Sequence, residues 1–251
     1  MSSSRERATR ERVAAVNVAV IPARGGSKRV PGKNIRSFAG QPMIGYSIQC
    51  AARAGVFDRV IVSTDDDRIA EVAMQFGAEV PFRRPPELSN DQCGTMPVVA
   101  HAIGWLRSQG ISPSSVCCVY PTAPFLWHED LTRGLEILQG GAWRFVFAAT
   151  AYGFPVHRSF EMSDAGRLRM LFPEHFATRS QDLPTVCHDA GQFYWGRPEA
   201  WCDQLPIFGD HSTVVTIPRW RVQDIDTEDD WTRAEAMASY VWAHDRGKER
   251  T

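Results

Sequence analysis

The chain has 251 residues, 43% of them apolar, which is enough for one sizeable hydrophobic core. Its formal charge of −1 supplies no global positive field for nucleic acid or an anionic membrane, and no apolar run approaches the roughly 20 residues that cross a bilayer. Any anion the protein binds must therefore be met by a local cluster of cations.

The opening residues, "MSSSRERATRERVAAV", lack the apolar core of a secretory signal, and Glu6 and Glu11 do not suit an organelle transit peptide. Residues 1–15 read as a flexible tail on a soluble, cytoplasmic protein. Short β-branched runs then alternate with amphipathic stretches: "VAVIPA" and "PMIGYSIQCAARAG", "RVIVST" and "DDRIAEVAMQFG", "VPF" and "TMPVVAHAIGWLRSQG", "SVCCVYPT" and "HEDLTRGLEILQGG", then "RFVFAAT". That rhythm predicts a three-layer, Rossmann-like α/β fold, with a mostly parallel sheet covered on both faces and active loops beyond the carboxyl ends of the strands.

After Thr150 the rhythm breaks. Residues 151–196 carry proline, charges and aromatics without a clean period, and read as an inserted arm and substrate lid in one domain over 16–246. Phe154, Phe160 and Phe172 offer a dimer contact there, or pack within the arm. A strand over "STVVTIP" follows, then a terminal helix capped by Thr227 with Asp230 three residues on; its Trp231, Ala234, Ala238, Val241 and Trp242 are expected to pack on the sheet. Residues 247–251 read as a tail. The six cysteines show no zinc spacing and the seven histidines no i, i+4 pair, so reduced thiols and no histidine metal site are expected.

The chemistry concentrates in "VAVIPARGGSKRVPGKN", where Arg24, Lys28, Arg29 and Lys33 sit among glycines directly after a strand. The dinucleotide fingerprint is absent, since Gly25 and Gly26 are adjacent. A P-loop is a near miss: five residues separate Gly26 from Gly32, and Lys33 is followed by Asn34 instead of a hydroxyl. A nucleotidyltransferase loop fits best, with glycines admitting a triphosphate and spaced cations neutralising it; a solvated basic loop is the alternative. Asp224 and Asp226 follow a strand-like stretch that would turn both carboxylates to one face, where they could share a magnesium (or manganese) ion; an acidic cluster before a helix is also what an N-cap region wants. The run Asp65, Asp66 and Asp67 reads as the start of a helix.

"PARGGSKRVPGKNIRSFAGQPMIGYSI" resembles the first motif of the cytidylyltransferases that activate sialic-acid-like nine-carbon sugars. "STDDDRIAEVA", "RRPPELSNDQCGT", "YPTAPF" and "DIDTEDDW" follow in that family's order, so the resemblance spans Val16 to Trp231. "GFPVHRS", "TRSQDLP" and "HDAGQFYWG" look like its branch that acts on pseudaminic acid.

The resemblance implies CTP and a nine-carbon 2-keto sugar acid as substrates, CMP-sugar and pyrophosphate as products, and a homodimer feeding bacterial surface glycans or flagellin. It places Arg24, Gly25, Gly26, Ser27, Lys28, Lys33 and Asn34 on the nucleotide, with Arg84 and Thr95 reaching the cytidine. Asp224 and Asp226 would hold the metal, Asp224 would act as base, and Arg24 and Lys28 would aid the chemistry. Tyr120, Arg179, Gln181, His188, Gln192, Phe193 and Tyr194 would line the sugar pocket, although each also has a structural reading: Arg84 as a surface charge, Thr95 as a helix N-cap, Phe193 and Tyr194 as core. Sialate enzymes commonly carry Gln where this chain has Tyr120. A nucleotide-sugar glycosyltransferase, whose Asp-x-Asp motif would lie earlier, and a silent nucleotide binder are the rivals.

Overall fold

The computed structural model describes residues 15–246; the expected tails lie outside them apart from Ala15. Strand β1 (Val16–Pro22) is followed by the glycine-rich loop, a small antiparallel pair β2 (Ser37–Phe38) and β3 (Gln41–Pro42), and helix α1 (Met43–Ala54). Next come β4 (Arg59–Ser63), α2 (Asp67–Gln75), α3 (Thr95–Ser108), β5 (Pro113–Val119), α4 (His128–Gly140) and β6 (Phe145–Ala151). The arm contributes the hairpin β7 (Phe160–Met162) and β8 (Leu168–Met170) before β9 (Cys187–Gly196), α5 (Pro198–Cys202), β10 (Ser212–Thr216) and α6 (Glu228–Arg246).

Among the described residues the central sheet has six strands in the order β10-β6-β9-β5-β1-β4. All its pairings are parallel except those of β9, which runs antiparallel between β5 and β6. Period-2 alternation sends Ala19 and Ile21 of β1 to one face, against α1, α2 and α4, while Val18 and Val20 meet α3 and α5 on the other. This is the expected three-layer α/β arrangement. Chain direction diverges at β1 and β5, so the loops after these strands part and leave a crevice at the carboxyl ends.

Three expectations are corrected. "VPF" makes no strand: Pro81 has no N–H to donate, and the segment is tied to the sheet only by isolated bridges at Glu79 and Arg83. The last ten residues of the predicted arm are strand β9, whose aromatic Phe193 and Trp195 face one core layer while Tyr194 faces the other. Helix α6 packs away from the sheet. Its Trp231, Ala234, Ala238 and Val241 enclose Phe38, Met43, Phe125, Ile225 and Val30 in a separate cluster, with Phe38 edge-on to Trp231 at 5.5 Å.

Candidate active site

The loop after β1 is shaped by two anchors. Val30 is fully buried in the same cluster as Ile225, which brings the loop beside the segment carrying Asp224 and Asp226; Asn34 is buried and its amide donates to the Arg24 carbonyl at 2.9 Å. Gly25 donates its N–H to Asp65 at 3.0 Å. A Cβ there would stand 2.7 Å from Oδ2 of Asp66, the residue that caps α2 by accepting from the N–H groups of Arg68 and Ile69. The close approach Gly25 permits is thus to the α2 cap, whereas Gly26 faces open space.

A cleft of about 620 Å³ opens at the β1/β5 crevice, lined by Arg24, Ser27, Lys28, Arg29, Lys33 and Asn34 on one side, Thr95 and Tyr120–Thr122 on another, with Asp91 and Asp226 across from the cations. Arg24 and Lys28 both bind Asp91, the latter at 2.6 Å. These two contacts hold the Asp91 carboxyl down to about 2. Arg29, which the resemblance leaves without a role, reaches Asp226 Oδ1 at 2.9 Å. Lys33 donates to the Ile225 carbonyl at 2.5 Å and lies 3.6 Å from Asp226.

Asp224 and Asp226 lie in a loop after a 3-10 turn at Arg219–Arg221, not on a strand; they flank buried Ile225, the charge of Asp226 is felt at Asp224, and of the two only Asp226 borders the cleft. Burial first, and the charge of Asp226 second, push the Asp224 carboxyl up, against the pull of Lys33. Among the described residues no group of three or more His, Cys, Asp or Glu is disposed to hold a metal. Two hard carboxylates in mutual repulsion, beside cations placed for phosphate, suit Mg²⁺, which takes one or two carboxylates and completes its shell with phosphate oxygens and water.

A second hollow of about 170 Å³ adjoins the cleft through Arg24, Thr95 and Tyr120, and is lined also by Arg84 and Cys93. Arg84 is buried, not a surface charge: it donates to the Ser63 hydroxyl at 3.1 Å and to the Ser63 carbonyl, and burial pulls its pKa down. Thr95 is the first residue of α3, with Gly94 at the cap position. Its hydroxyl is therefore free of a capping role and lies 3.3 Å from the Tyr120 hydroxyl.

The remaining sugar candidates divide. Arg179 is exposed on the arm and paired to Asp182 at 2.7 Å, and neither it nor Gln181 borders the cleft. His188 contacts the Asp189 carbonyl and the Tyr152 ring. Phe193 is fully buried in the core, as its structural reading has it, and does not border the cleft. Tyr194 is also buried; its hydroxyl donates to Asp189 at 2.5 Å. Gln192 is buried and donates to the Arg221 carbonyl at 2.8 Å.

Asp91, Val30 and Arg221 did not stand out in the sequence. Asp91 had a visible signal, an acidic residue inside the quoted nucleotide-contacting stretch. Arg221 had none, since a buried arginine looks like any other in "RWRV".

Residues 18–154 match the family model described as cytidylyltransferase. The chain is 44% identical over 221 residues to the pseudaminic acid cytidylyltransferase of Campylobacter jejuni, covering 88% of this chain and 95% of that one. It is 39% identical to the CMP-N,N'-diacetyllegionaminic acid synthase of Legionella pneumophila, with 88% and 95% covered. The solved structure of CMP:2-keto-3-deoxy-manno-octonic acid synthetase complexed with CTP superposes with a TM-score of 0.66 at 18% identity, covering 90% of this chain and 99% of that one.

Proposed function

Because the chain belongs to the cytidylyltransferase family, we propose that it transfers CMP from CTP to the anomeric hydroxyl of pseudaminic acid, releasing pyrophosphate. The observation that carries this reading is the convergence of Arg24, Lys28, Lys33, Asp226, Thr95 and Tyr120 on one cleft at the β1/β5 crevice.

The C2 hydroxyl oxygen of the sugar attacks the α-phosphorus, the new P–O bond forms, and the bond from the α-phosphorus to the bridging oxygen breaks as pyrophosphate leaves. Arg24 takes phosphate oxygens bidentately, while Lys28 and Lys33 act as point charges on the departing group. Asp224 accepts the hydroxyl proton. Asp224 and Asp226 would hold Mg²⁺, which supplies charge neutralisation to the phosphate oxygens.

The branch reading rests on the relative of known name at 44% identity and on Tyr120 at the cleft wall. CMP-legionaminate and CMP-N-acetylneuraminate synthesis are the neighbouring activities. Exposed Phe154, Met162, Leu168 and Phe176 on the arm support a homodimer. No helix among the described residues is long and apolar enough to cross a membrane, which agrees with placement in the cytoplasm, where CTP is made. Pyrophosphate release from CTP and Mg²⁺ is measured with each of the three sugars: release with pseudaminic acid alone is expected, release with another sugar reassigns the substrate, and none with any leaves a nucleotide binder.

A further inference from the structure

The four cations of the loop are already paired, and to two different carboxylates. Arg29 and Lys33 face Asp226, while Arg24 and Lys28 share Asp91, which comes from a separate segment 63 residues or more away in sequence. Asp91 is not part of the proposed metal pair and, among the described residues, forms ion pairs with these two cations alone. The turn that carries it is closed by Asn90, whose side-chain oxygen accepts the N–H groups of Gln92 and Cys93, both at 2.9 Å. One carboxylate oxygen meets Arg24 and the other meets Lys28, a two-pronged contact such as a phosphate would make with the same pair.

Resting on the triphosphate reading of the cleft, we propose that Asp91 is an internal counter-anion that competes with the triphosphate and pyrophosphate for Arg24 and Lys28, and so promotes pyrophosphate release. An anion entering the cleft must displace the carboxylate before it can use these two cations, so the apparent affinity is the intrinsic one reduced by the fraction of molecules in which Asp91 has swung away. As pyrophosphate departs, the carboxylate recaptures both cations and prevents rebinding. Without Asp91, Arg24 and Lys28 would stand unneutralised and hold product longer. A carboxylate this exposed exerts a limited competition, on the scale of two surface ion pairs, so the expected effect is about three- to tenfold.

Calorimetric titration of inorganic pyrophosphate, and separately of CTP, into the full chain and into Asp91→Asn and Asp91→Ala, with metal chelated throughout, tests this. Both variants are expected to bind both anions about three- to tenfold more tightly, and the inhibition constant of pyrophosphate in steady-state turnover is expected to fall by a similar factor. Equal or weaker binding by both variants, with the parent chain binding normally, overturns the role of Asp91 while leaving the triphosphate reading intact. Failure of CTP to bind any of the three proteins, both with metal chelated and with Mg²⁺ restored, overturns the reading of the cleft, and this proposal with it.

Discussion

The guanidinium of Arg221 donates through Nη1 to Oδ2 of Asp130 at 2.6 Å, with side-chain exposures of only 3% and 13%. The same guanidinium lies 3.8 Å from the centroid of the Trp127 ring, and the Arg221 carbonyl accepts from Gln192. Arg221 thus fastens the segment that delivers Asp224 and Asp226 to the start of α4 and to β9. Asp130→Asn would leave that charge buried and unpaired, and is expected to cost about 3 kcal/mol of stability in urea unfolding. Replacing the pair together, Arg221→Met with Asp130→Leu, should recover most of the loss; no recovery would show that the Trp127 contact outweighs the ion pair.

Lys33 and Lys28 carry the same charge in different settings. The Lys33 side chain is 19% exposed and joined to the Ile225 carbonyl and Asp226, whereas that of Lys28 is 80% exposed and meets only Asp91. Lys33→Ala should lower kcat/KM for CTP about a hundredfold or more, by removing a desolvated charge from the transition state and releasing the acidic segment. Lys28→Ala should cost about tenfold. The reverse order in steady-state kinetics would mean that Lys33 chiefly holds the fold.

Asp224 leaves the ordinary carboxylate range in the metal-free protein. Its folded pKa is raised above the ordinary 3.8, by burial and then by Asp226. Carboxyl titration by NMR with metal chelated should place it above a free carboxylate; Asp226→Asn removes the repelling charge and should move it down, while Lys33→Met should move it up. The same shift works against stability, which declines as pH climbs from the unfolded pKa through the folded one. Mg²⁺ held by the pair would oppose the shift through its own charge, and a titration unmoved by Asp226→Asn would assign it to another group.

Much of this was legible in the sequence, and what was not has physical causes. β1, β4, β5 and β6 announce themselves as buried apolar runs, and the cations after β1 are visible from their glycine spacing. β9 was hidden because it carries His188, Asp189 and Gln192. His188 meets the Asp189 carbonyl, Asp189 accepts from Tyr194, and Gln192 donates to the Arg221 carbonyl, partners that only the fold supplies. The packing of α6 was misjudged because its apolar stripe specifies burial without specifying a partner. That partner is the β2–β3 pair and the loop residue Val30. The same ambiguity concealed Asp91, whose two cations lie far away in the chain.

Gly25 is constrained by side-chain space. A methyl group there would press on Cβ of Asp66 at 2.8 Å as well as on its carboxylate, and neither can retreat without giving up the α2 cap. Gly25→Ala should cost about 1 kcal/mol from the cap alone and also tilt the loop that carries Arg24 and Lys28, weakening CTP binding. Gly26→Ala, with nothing within 4 Å of its added Cβ, should be mild in comparison. Equal effects on thermal unfolding and CTP titration would rule out the Asp66 contact as the cause.

The arm sets the last expectation. Phe154 is 87% exposed and Phe176 74%, and Phe160, Met162 and Leu168 are also exposed on and around the β7–β8 hairpin. A two-stranded hairpin exposing this much apolar surface is marginal by itself in water and gains its stability from a covering surface. A second copy is the partner expected of such a patch in a homo-oligomer, since one two-fold contact buries it twice. Sedimentation should therefore give twice the chain mass of 28.1 kDa, and Leu168→Glu with Phe176→Glu should return it to the monomer value. A single-chain mass for the parent protein at micromolar concentration would leave the patch to some other partner. It would also predict that the double substitution leaves turnover unchanged.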